Sequence, residues 1–528
     1  MVFLVKKFNV TGICVNNKHY MVDISEKLSK ITTMIDYGDY FTINKGRQYG
    51  KTTTLSLLRK ELKSKYIVIS ISFEGLGSAF ETEENFCVSF LEMVQLSLER
   101  SKISEEYSSM WLDKNVVNFQ SLSRHITKMC KDKKVVLLID EVDKACNYTN
   151  FLNFLGILRK KFLDRNDELD YTFQSVVLAG VHDIKNIKSS MVTKGFYEIN
   201  YGEGKYNSPW NIAEDFLVDM SFNPKEISTM LVEYEKDHNT GMDITNISKE
   251  IYNYTSGYPF LVSKICKIID ERLNKDWTLF GIKTAIKLML KEPNTLFKDI
   301  AKTLENDKDL YNFLYDLVIV GEQKTFSTVN NIIEFGVMYG YLDEVNERPV
   351  ISNRIFELLL VNYFITKDEN DKAKKKINGV LYYEVVSNEN FNMELCISKF
   401  AEHYKEVFDT NNKKDEEFLK KHGRMVFLTY LKPLLNGKGF YHIESQFTDL
   451  RRMYIVVDFN KEQFILELKL WKGESLHQKA YKQLLSYMDS KNSNTGYLLT
   501  FDFRKEKNKT PKAEWVEIDG KKIFDVII

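Results

Sequence analysis

YFTINKGRQYGKTTTLSLL, residues 40–58, is the stretch that decides the fold class of this 528-residue chain. A short run of β-forming residues, Tyr40–Ile43, meets a glycine-containing loop, and Lys51 then opens a helical pattern of leucines. Strand, loop, Gly-Lys-Thr and helix is the order that a phosphate-binding P-loop requires. The standard pattern has glycine at position 45, where this chain has Lys45 and the glycine is displaced to Gly46. The stretch predicts an α/β fold with a P-loop.

The chemistry of this loop assigns a role to several of its residues. The loop amides and the N-terminus of the helix would face the phosphates, Lys51 would reach the β- and γ-phosphates, and Thr52 would hold Mg²⁺. Arg47 could contact phosphate or stack on the base, and the sequence leaves both open. The candidate cofactor-binding residues are Gly46, Arg47, Gln48, Tyr49, Gly50, Lys51, Thr52, Thr53 and, from the next motif, Asp140.

A second motif follows in KKVVLLIDEVD, residues 133–143. Five consecutive apolar residues, Val135–Ile139, suit a strand buried on both faces of a parallel sheet. Asp140 and Glu141 follow at its carboxyl end, where α/β sheets bind their ligands. Asp140 would bind Mg²⁺ through water, and Glu141 would polarise the attacking water. A solvated turn after a core strand is the alternative, and the P-loop upstream argues against it.

Two further apolar runs, Tyr66–Phe73 and Ser175–Ala179, predict strands of the same sheet. The second run leads to His182, at the place where P-loop ATPases carry a polar γ-phosphate sensor, although an ordinary loop residue fits equally well. Arg159 and Arg165 are candidate arginine fingers for a second subunit. The sequence does not choose between them.

From Pro224 the pattern changes to helical periods. They are Ile227–Tyr234, Ile244–Tyr254 and Pro259–Leu273. Residues 300–359 then predict helices with a pair of β-type runs near Tyr341 and Val350, an order similar to a winged helix. Winged helices often bind DNA, but in ATPases of this build a lid over the nucleotide is favoured. Residues 224–365 are therefore predicted to form a helical and winged-helix-like lid.

Five segments together resemble one known family. They are HYMVDIS (19–25), FTINKGRQYGKTTTL (41–55), LLIDEVD (137–143), LAGVHDIKN (178–186) and SPWNIAEDF (208–216). Over nearly the whole chain, the sequence is similar to AAA-ATPase-like proteins, mostly bacterial, whose C-terminal part is a PD-(D/E)XK nuclease-superfamily domain. This family tolerates a non-glycine residue at the position of Lys45.

The resemblance implies binding of ATP and Mg²⁺ and roles in nucleic-acid processing, mobile elements or phage defence. It implies a P-loop AAA-ATPase-like domain over residues 1–223 and a nuclease-like domain over residues 376–528. AAA-like ATPases commonly assemble into homo-oligomers, and the sequence leaves monomer, dimer and larger assembly open.

The C-terminal residues carry a signature of their own after a charged boundary segment, Thr366–Lys376. Three strand-like runs follow it: Phe440–Glu444, Met453–Phe459 and Gln463–Leu470. In the third run, Glu467-Leu468-Lys469 fits the E-x-K signature of these nucleases. Residues two apart on a strand share a face, so the Glu467 carboxylate and the Lys469 ammonium can meet the same metal and scissile phosphate. Glu467 and Lys469 are therefore candidate catalytic residues, and Glu467 is also a candidate metal ligand.

The second carboxylate of such a centre is missing from its expected place. If Asn460 and Lys461 form a two-residue turn, the residue opposite Glu467 is Tyr454, where the family motif has aspartate. A phenol ionises near pH 10, so it is neutral at pH 7 and a poor Mg²⁺ ligand. Asp458 shares its face but would lie roughly 13 Å from the level of Glu467, at about 3.3 Å per residue.

The rest of the predicted nuclease-like site persists in Glu444 on the first strand and in Gln483, which occupies the family's Q-x-x-x-Y place with Tyr487. Two functions from different classes stay open. The first is an ATP-driven enzyme acting on nucleic acid with some nuclease activity retained. The second is a nucleotide-dependent switch or scaffold whose inactive nuclease-like domain binds nucleic acid or a protein.

Composition bounds the remaining classes. With 44% hydrophobic and 13% aromatic residues, the chain predicts folded cores rather than disorder. It has no uncharged apolar run of about 18 residues and no signal-peptide core, which predicts a cytoplasmic protein without a membrane partner. The six cysteines lack metal-ligand spacing, which argues against zinc ribbons and disulfide scaffolds.

The net charge of zero hides an asymmetry between the two ends of the chain. Lys plus Arg and Asp plus Glu both number 74, yet residues 421–528 contain 19 of the former against 13 of the latter. The positive excess lies on the segment whose motifs indicate nucleic acid. Its modest size argues only against tight sequence-independent binding by the chain as a whole.

Overall fold

The structure is a computed structural model, and it describes twelve segments of the chain. They are residues 5–146, 148–181, 210–320, 322, 324–372, 385–387, 390–407, 413–435, 439–446, 449–459, 462–503 and 512–528. The chain forms two compact units, one of Met1–Ala285 with Thr328–Asp343 and one of Ile286–Ser327 with Glu344–Ile528. The three-domain division drawn from the sequence stays a prediction.

A four-stranded parallel sheet is the centre of the first unit. Its strands are β1 (Tyr40–Asn44), β2 (Ile67–Ser72), β3 (Val135–Asp140) and β4 (Ser175–Gly180), in the order β1-β4-β3-β2. Every residue of β3 and β4 is buried, as expected for strands covered by helices on both faces. The parallel register brings the carboxyl ends of β1, β3 and β4 to one edge, so the loops that follow them lie together. The α/β class predicted from the P-loop stretch is confirmed.

Helices pack against this sheet. They are α1 (Ser25–Tyr37), α2 (Lys51–Leu62), α3 (Glu83–Arg100), α4 (Glu105–Ser109), α5 (Phe119–Cys130) and α6 (Thr149–Asn166). The four from α3 to α6 share one apolar core with the sheet. The buried Trp210 stacks on Tyr40 with ring centroids 5.9 Å apart, and its indole Nε1 donates to the Thr42 hydroxyl at 2.9 Å. Glu214 then pairs with β1 in parallel, its N–H donating to the Tyr40 carbonyl at 2.8 Å. These contacts fix β1, the strand that leads into the P-loop.

The helical periods predicted after Pro224 are all present. The helices are α7 (Pro224–His238), α8 (Ile244–Thr255), α9 (Pro259–Arg272) and α10 (Leu279–Lys291). Proline opens α7 and α9, since its missing N–H would have no partner in a first turn. Asn223 and Glu226 cap α7 reciprocally, each side chain accepting the other's backbone N–H.

The chain continues with short helices and two short strands. These are α11 (Thr295–Asn306), α12 (Lys308–Tyr315), a π-helical turn (Asp316–Val320), α13 (Asn331–Met338), β5 (Leu342–Val345), β6 (Arg348–Ile351) and α14 (Arg354–Lys372). The two strands occur where the sequence predicts a β-type pair. Helix α14 extends into the charged segment predicted as a boundary, because its lysines and glutamates favour a helix and no glycine or proline interrupts it.

The second unit contains a six-stranded mixed sheet in the order β13-β14-β12-β11-β10-β9. Its strands are β9 (Gly439–Gln446), β10 (Asp449–Phe459), β11 (Glu462–Leu470), β12 (Thr495–Phe501), β13 (Lys512–Ile518) and β14 (Lys521–Ile527). The remaining elements are β7 (Val386–Ser387), β8 (Asn390–Phe391), α15 (Met393–Val407), α16 (Lys413–Leu435) and α17 (Glu474–Ser490). Helix α17 packs on the face that carries Tyr454 and Leu498. In the described ranges, no helix combines the length and hydropathy needed to span a bilayer.

Candidate functional site

The loop after β1 is folded around the ammonium group of Lys51. This lysine begins α2 and is only 9% exposed, and its Nζ donates to the carbonyl oxygens of Lys45 at 2.7 Å and Gly46 at 2.9 Å. Gly50 adopts a φ of +79°, in the left-handed region that glycine enters without strain, and so turns the chain into the helix. The Gly-Lys-Thr segment therefore adopts the strand–loop–helix arrangement that the sequence predicts.

Acidic residues at the end of β3 act on this lysine. Burial lowers the pKa of Lys51, and three carboxylates oppose that effect. They belong to Asp143, Glu141 and Asp140, in order of decreasing influence. Asp140 Oδ1 accepts the N–H of Glu141 at 3.0 Å, and Asp143 Oδ1 accepts the N–H of Val181 at 3.3 Å. The predicted base and metal ligand thus lie at the same sheet edge as the loop.

Glu141 occupies an unusual environment for a carboxylate. Its backbone adopts a φ of +54°, and burial, followed by the charges of Asp143 and Asp140, raises the pKa of its carboxyl group. Left-handed backbone at a residue other than glycine is uncommon and occurs often at functional sites. A carboxylate whose pKa is raised is a stronger base and so is better suited to accept a proton from water.

The donors at this edge fit Mg²⁺. Thr52 is exposed in the first turn of α2, and its hydroxyl together with the Asp140 carboxylate offers the hard oxygen atoms that Mg²⁺ prefers. Among the described residues, no three His, Cys, Asp or Glu side chains are grouped to hold a metal ion. Mg²⁺ would therefore complete its shell with water and phosphate oxygens, as it does in nucleotide sites. The hydroxyl of Thr53, another candidate cofactor-binding residue, accepts the N–H of Cys14 at 3.2 Å.

The outer residues of the loop differ in exposure. Arg47 and Gln48 are exposed, and Gln48 adopts a φ of +59°. The ring of Tyr49 packs against Tyr258 with centroids 4.4 Å apart, and the Tyr258 hydroxyl donates to the backbone carbonyl of Arg47. Arg47 thus has an exposed side chain and a fixed backbone.

Two further candidates were an arginine finger at Arg165, which the structure contradicts, and a γ-phosphate sensor at His182. The Arg165 guanidinium donates to the carbonyls of Gly38, Phe173 and Gln174 at 2.7–2.8 Å. These carbonyls precede β1 and β4, so Arg165 ties together the sheet edge opposite the P-loop. His182, the sensor candidate, lies outside the described residues.

In the second unit, the predicted strand register is confirmed. Tyr454 on β10 pairs with Glu467 on β11, and Asp458 pairs with Gln463. Gln463 Nε2 also donates to Asp458 Oδ1 at 2.9 Å. The Asp458 carboxylate is therefore hydrogen-bonded to Gln463 and does not lie at the level of Glu467. The turn residues 460 and 461 lie outside the described residues.

Tyr454, the residue opposite Glu467, is fully buried. Its ring stacks on that of Tyr487 with centroids 3.9 Å apart and planes 3° from parallel. Its hydroxyl donates to the backbone carbonyl of Gln483 at 3.3 Å. The phenol is therefore held by α17 and forms part of the packed interior.

Glu467 and Lys469 form an ion pair on the same face of β11. Glu467 is 1% exposed, and its Oε1 lies 2.7 Å from Lys469 Nζ, which in turn lies 3.5 Å from Gln483 Oε1. The strand register also pairs Glu444 of β9 with Tyr454. Opposite Glu467, the position on β10 is thus occupied by a phenol, which is a poor ligand for Mg²⁺.

A buried polar cluster on α17 and β14 escaped the sequence analysis. Asp525 Oδ2 lies 2.7 Å from His477 Nε2 and accepts a hydrogen bond from the Tyr481 hydroxyl at 2.6 Å. Leu498 pairs with both Glu467 and Asp525, so the two acids share a face about 10 Å apart across three strands. The sequence does carry a signal for this cluster, because Asp525 is a single acid within the apolar run of β14.

Comparison with known proteins gives one family match. Residues 441–512 match the model of the PD-(D/E)XK nuclease superfamily. A curated relative, an uncharacterized WD repeat-containing protein of Synechocystis sp., is 26% identical over 165 residues, which cover 30% of this chain and 12% of that protein. The chain therefore spans only a small part of the length of this relative.

Two solved structures resemble a larger part of the chain. A Walker-type ATPase of Pyrococcus abyssi, 12% identical, covers 67% of this chain with 99% of its own at a TM-score of 0.46. The ORC2 protein of Aeropyrum pernix, in complexes with ADPNP and ADP, is 11% identical and covers 68% with 98% of its own at a TM-score of 0.34. The chain thus combines a P-loop α/β unit with a C-terminal segment, residues 441–512, that matches the PD-(D/E)XK nuclease superfamily.

Proposed function

We propose that this protein binds and hydrolyses ATP with Mg²⁺ at the P-loop, and that its nuclease-like domain binds nucleic acid with a metal centre too weak for efficient cleavage. The observation that carries the proposal is the pairing of Tyr454 with Glu467. It puts a neutral phenol where a metal-dependent nuclease needs its second carboxylate.

The ATPase half rests on the geometry around Lys51. Its ammonium is held by two loop carbonyls and lies in the field of three carboxylates, so it is aimed at the loop where phosphates would bind. Thr52 and Asp140 would hold Mg²⁺, which supplies charge neutralisation to the phosphates when bound. Glu141 would accept a proton from the attacking water, because its raised pKa makes it a stronger base than an ordinary glutamate.

The proposed binding of nucleic acid rests on the positive charge of the C-terminal segment and on the lysine of the nuclease-like site. Residues 421–528 carry an excess of six positive charges, and Lys469 is 29% exposed at its side chain. The ammonium of Lys469, the lysine of the E-x-K strand, can bind a phosphodiester without a metal. The modest excess predicts weak, salt-sensitive binding, and homo-oligomerisation stays a prediction.

A second candidate is an ATP-driven enzyme that retains cleavage. It is favoured by one observation, the contact series from Glu467 through Lys469 to Gln483, which brings three predicted nuclease residues together. A purely protein-binding switch has no comparable observation in its favour.

One cleavage experiment separates the two candidates. The full chain is incubated with Mg²⁺ or Mn²⁺ and with single- and double-stranded DNA and RNA, beside Glu467→Ala and Tyr454→Asp. The proposal predicts binding in a mobility-shift assay, little cleavage by the native protein and increased cleavage by Tyr454→Asp. Efficient native cleavage that is lost in Glu467→Ala would establish the second candidate instead.

A further inference from the structure

The phosphate-binding loop is held from outside the sheet at three of its residues. Besides the hydrogen bond from Tyr258 to the Arg47 carbonyl, the ring of Tyr49 lies against Tyr258. The third contact comes from the turn after α13, where the backbone of Tyr339 approaches Gly46. Both partner elements belong to the first compact unit. The loop therefore depends on side chains and backbone far away in sequence.

The contact between Gly46 and Tyr339 leaves no room for a side chain. A Cβ built on Gly46 would lie 2.6 Å from the Tyr339 carbonyl oxygen and 3.1 Å from its carbonyl carbon. Both distances are shorter than the roughly 3.5 Å of ordinary van der Waals contact. The obstacle is backbone, so it cannot rotate away. This contact gives a physical reason for the glycine at position 46 of the P-loop.

The turn itself is also conformationally constrained. Gly340 adopts a φ of +76°, and a Cβ there would contact the rings of Tyr49 at 3.5 Å and Tyr258 at 3.8 Å. The ring of Tyr339 packs against Phe335 at a centroid distance of 4.3 Å. Glycine at position 340 thus lets the turn lie directly on the tyrosine pair beside the loop.

Charges at the nucleotide site act on this turn. Burial raises the pKa of the Tyr339 hydroxyl, with a smaller increase from Asp143 and an opposing effect from Arg47. Asp143 belongs to the acidic end of β3, and Arg47 belongs to the loop. Tyr339 therefore lies within electrostatic range of both sides of the phosphate site.

We propose that the Tyr339–Gly340 turn is a positioning element of the P-loop whose contact with the loop is coupled to nucleotide occupancy. This inference rests on the proposed binding of ATP or ADP at the loop. The turn lies in Thr328–Asp343, which belongs to the first unit, whereas the residues before and after it, Ile286–Ser327 and Glu344–Ile528, belong to the second.

Thermodynamic linkage makes this proposal reciprocal. If the closed turn holds the loop in the shape that receives phosphate, nucleotide must in turn stabilise the closed turn by the same factor. Weakening the turn should lower nucleotide affinity by about 5-fold or more, the usual lower range of such coupling. Nucleotide should also slow amide hydrogen exchange in residues 336–345.

The test combines two measurements on the full chain with a matched pair of variants. Gly340→Ala strains a left-handed residue that packs on the loop tyrosines, whereas Gly241→Ala adds the same methyl group at a φ of +75° with nothing within 4 Å. Affinity is measured with a fluorescent ADP analogue and Mg²⁺. Hydrogen exchange of residues 336–345 is measured in the native protein with and without ADP, which requires no variant to fold.

We expect native binding, slower exchange in residues 336–345 with ADP, and an affinity loss of about 5-fold or more in Gly340→Ala but under twofold in Gly241→Ala. Native binding with unchanged exchange in that segment would overturn the positioning role and leave the ATPase proposal standing. Equal affinity losses in the two variants would also overturn it. Absence of ADP binding by the native protein would overturn both proposals.

Discussion

Tyr454 and Glu467 face each other across β10 and β11, and Tyr454 is fixed there by stacking on Tyr487. A well-packed aromatic ring therefore occupies the position opposite Glu467. On the same strand, Glu467 Oε1 lies 2.7 Å from Lys469 Nζ. Under the proposed function, this pairing is what limits metal-dependent cleavage.

Restoring the carboxylate should restore metal-dependent cleavage. In Tyr454→Asp, two carboxylates would face each other on adjacent strands, a donor set that Mg²⁺ and Mn²⁺ can bind. We expect cleavage of DNA or RNA above the native level, measured by gel assay with each metal. The double variant Tyr454→Asp, Glu467→Ala should lose the gain.

Tyr454→Phe is the matched control for that substitution. It keeps the ring that stacks on Tyr487 and loses only the hydroxyl, so it should show no gain of cleavage. Because Tyr454→Asp also removes a buried ring, we expect it to lower the free energy of unfolding by about 3–5 kcal/mol. If the two variants cleave equally, the missing carboxylate is not what limits the native centre.

Lys51→Ala should abolish ATP hydrolysis. Two loop carbonyls hold the Lys51 ammonium in the position where it would meet the phosphates. Loss of such a preorganised charge lowers turnover by about 100-fold or more. The rate of ATP hydrolysis is measured as phosphate release at saturating ATP and Mg²⁺. Lys60→Ala, at an exposed position on the same helix, should retain native turnover. Unchanged turnover in Lys51→Ala would refute the P-loop assignment.

The pH dependence of ATP hydrolysis should report Glu141. As a base it must be ionised, and burial with two neighbouring acids raises its pKa, so kcat/KM should fall with decreasing pH at a midpoint above about 4.3, the value of an ordinary glutamate. Asp143→Asn removes one negative neighbour and thereby favours ionised Glu141. The acid limb should therefore move to lower pH in this variant.

Asp132→Asn is the control for Asp143→Asn. Asp132 is exposed in the loop before β3, at the opposite end of that strand, and its removal should leave the acid limb in place. An acid limb that stays fixed or moves to higher pH in Asp143→Asn would show that another group limits the rate.

Tyr481→Phe should destabilise the second unit. The Tyr481 hydroxyl donates to the buried Asp525, whose same oxygen lies 2.7 Å from His477. Removing one partner of a buried carboxylate should lower the free energy of unfolding by about 1–3 kcal/mol, measured by urea denaturation. Leu476→Ala, 48% exposed on the same helix, should change it by no more than about 0.5 kcal/mol. Equal stability of Tyr481→Phe and the native protein would show that the cluster is not needed for folding.

Local patterns explain which parts of the site were predictable. The strand and helix around Lys51 follow from consecutive residues, since a β-forming run, a glycine-containing loop and a leucine period each act over a few positions. The pairing of Tyr454 with Glu467 was equally accessible, because a short connection fixes the register of an antiparallel pair. Arg165 was misjudged because its three carbonyl partners come from segments distant in sequence.

The sequence by itself determined the P-loop, the acidic end of β3, the E-x-K strand and the substitution at Tyr454, all of which depend on residue type and short-range spacing. Only the tertiary structure decided that Tyr339 lies against Gly46, that Asp525 joins His477 and Tyr481, and that Tyr487 stacks on Tyr454. These contacts join elements whose separation along the chain carries no periodic signal. They are set by which faces the sheets and helices bury against each other, and that is decided only when the whole unit packs.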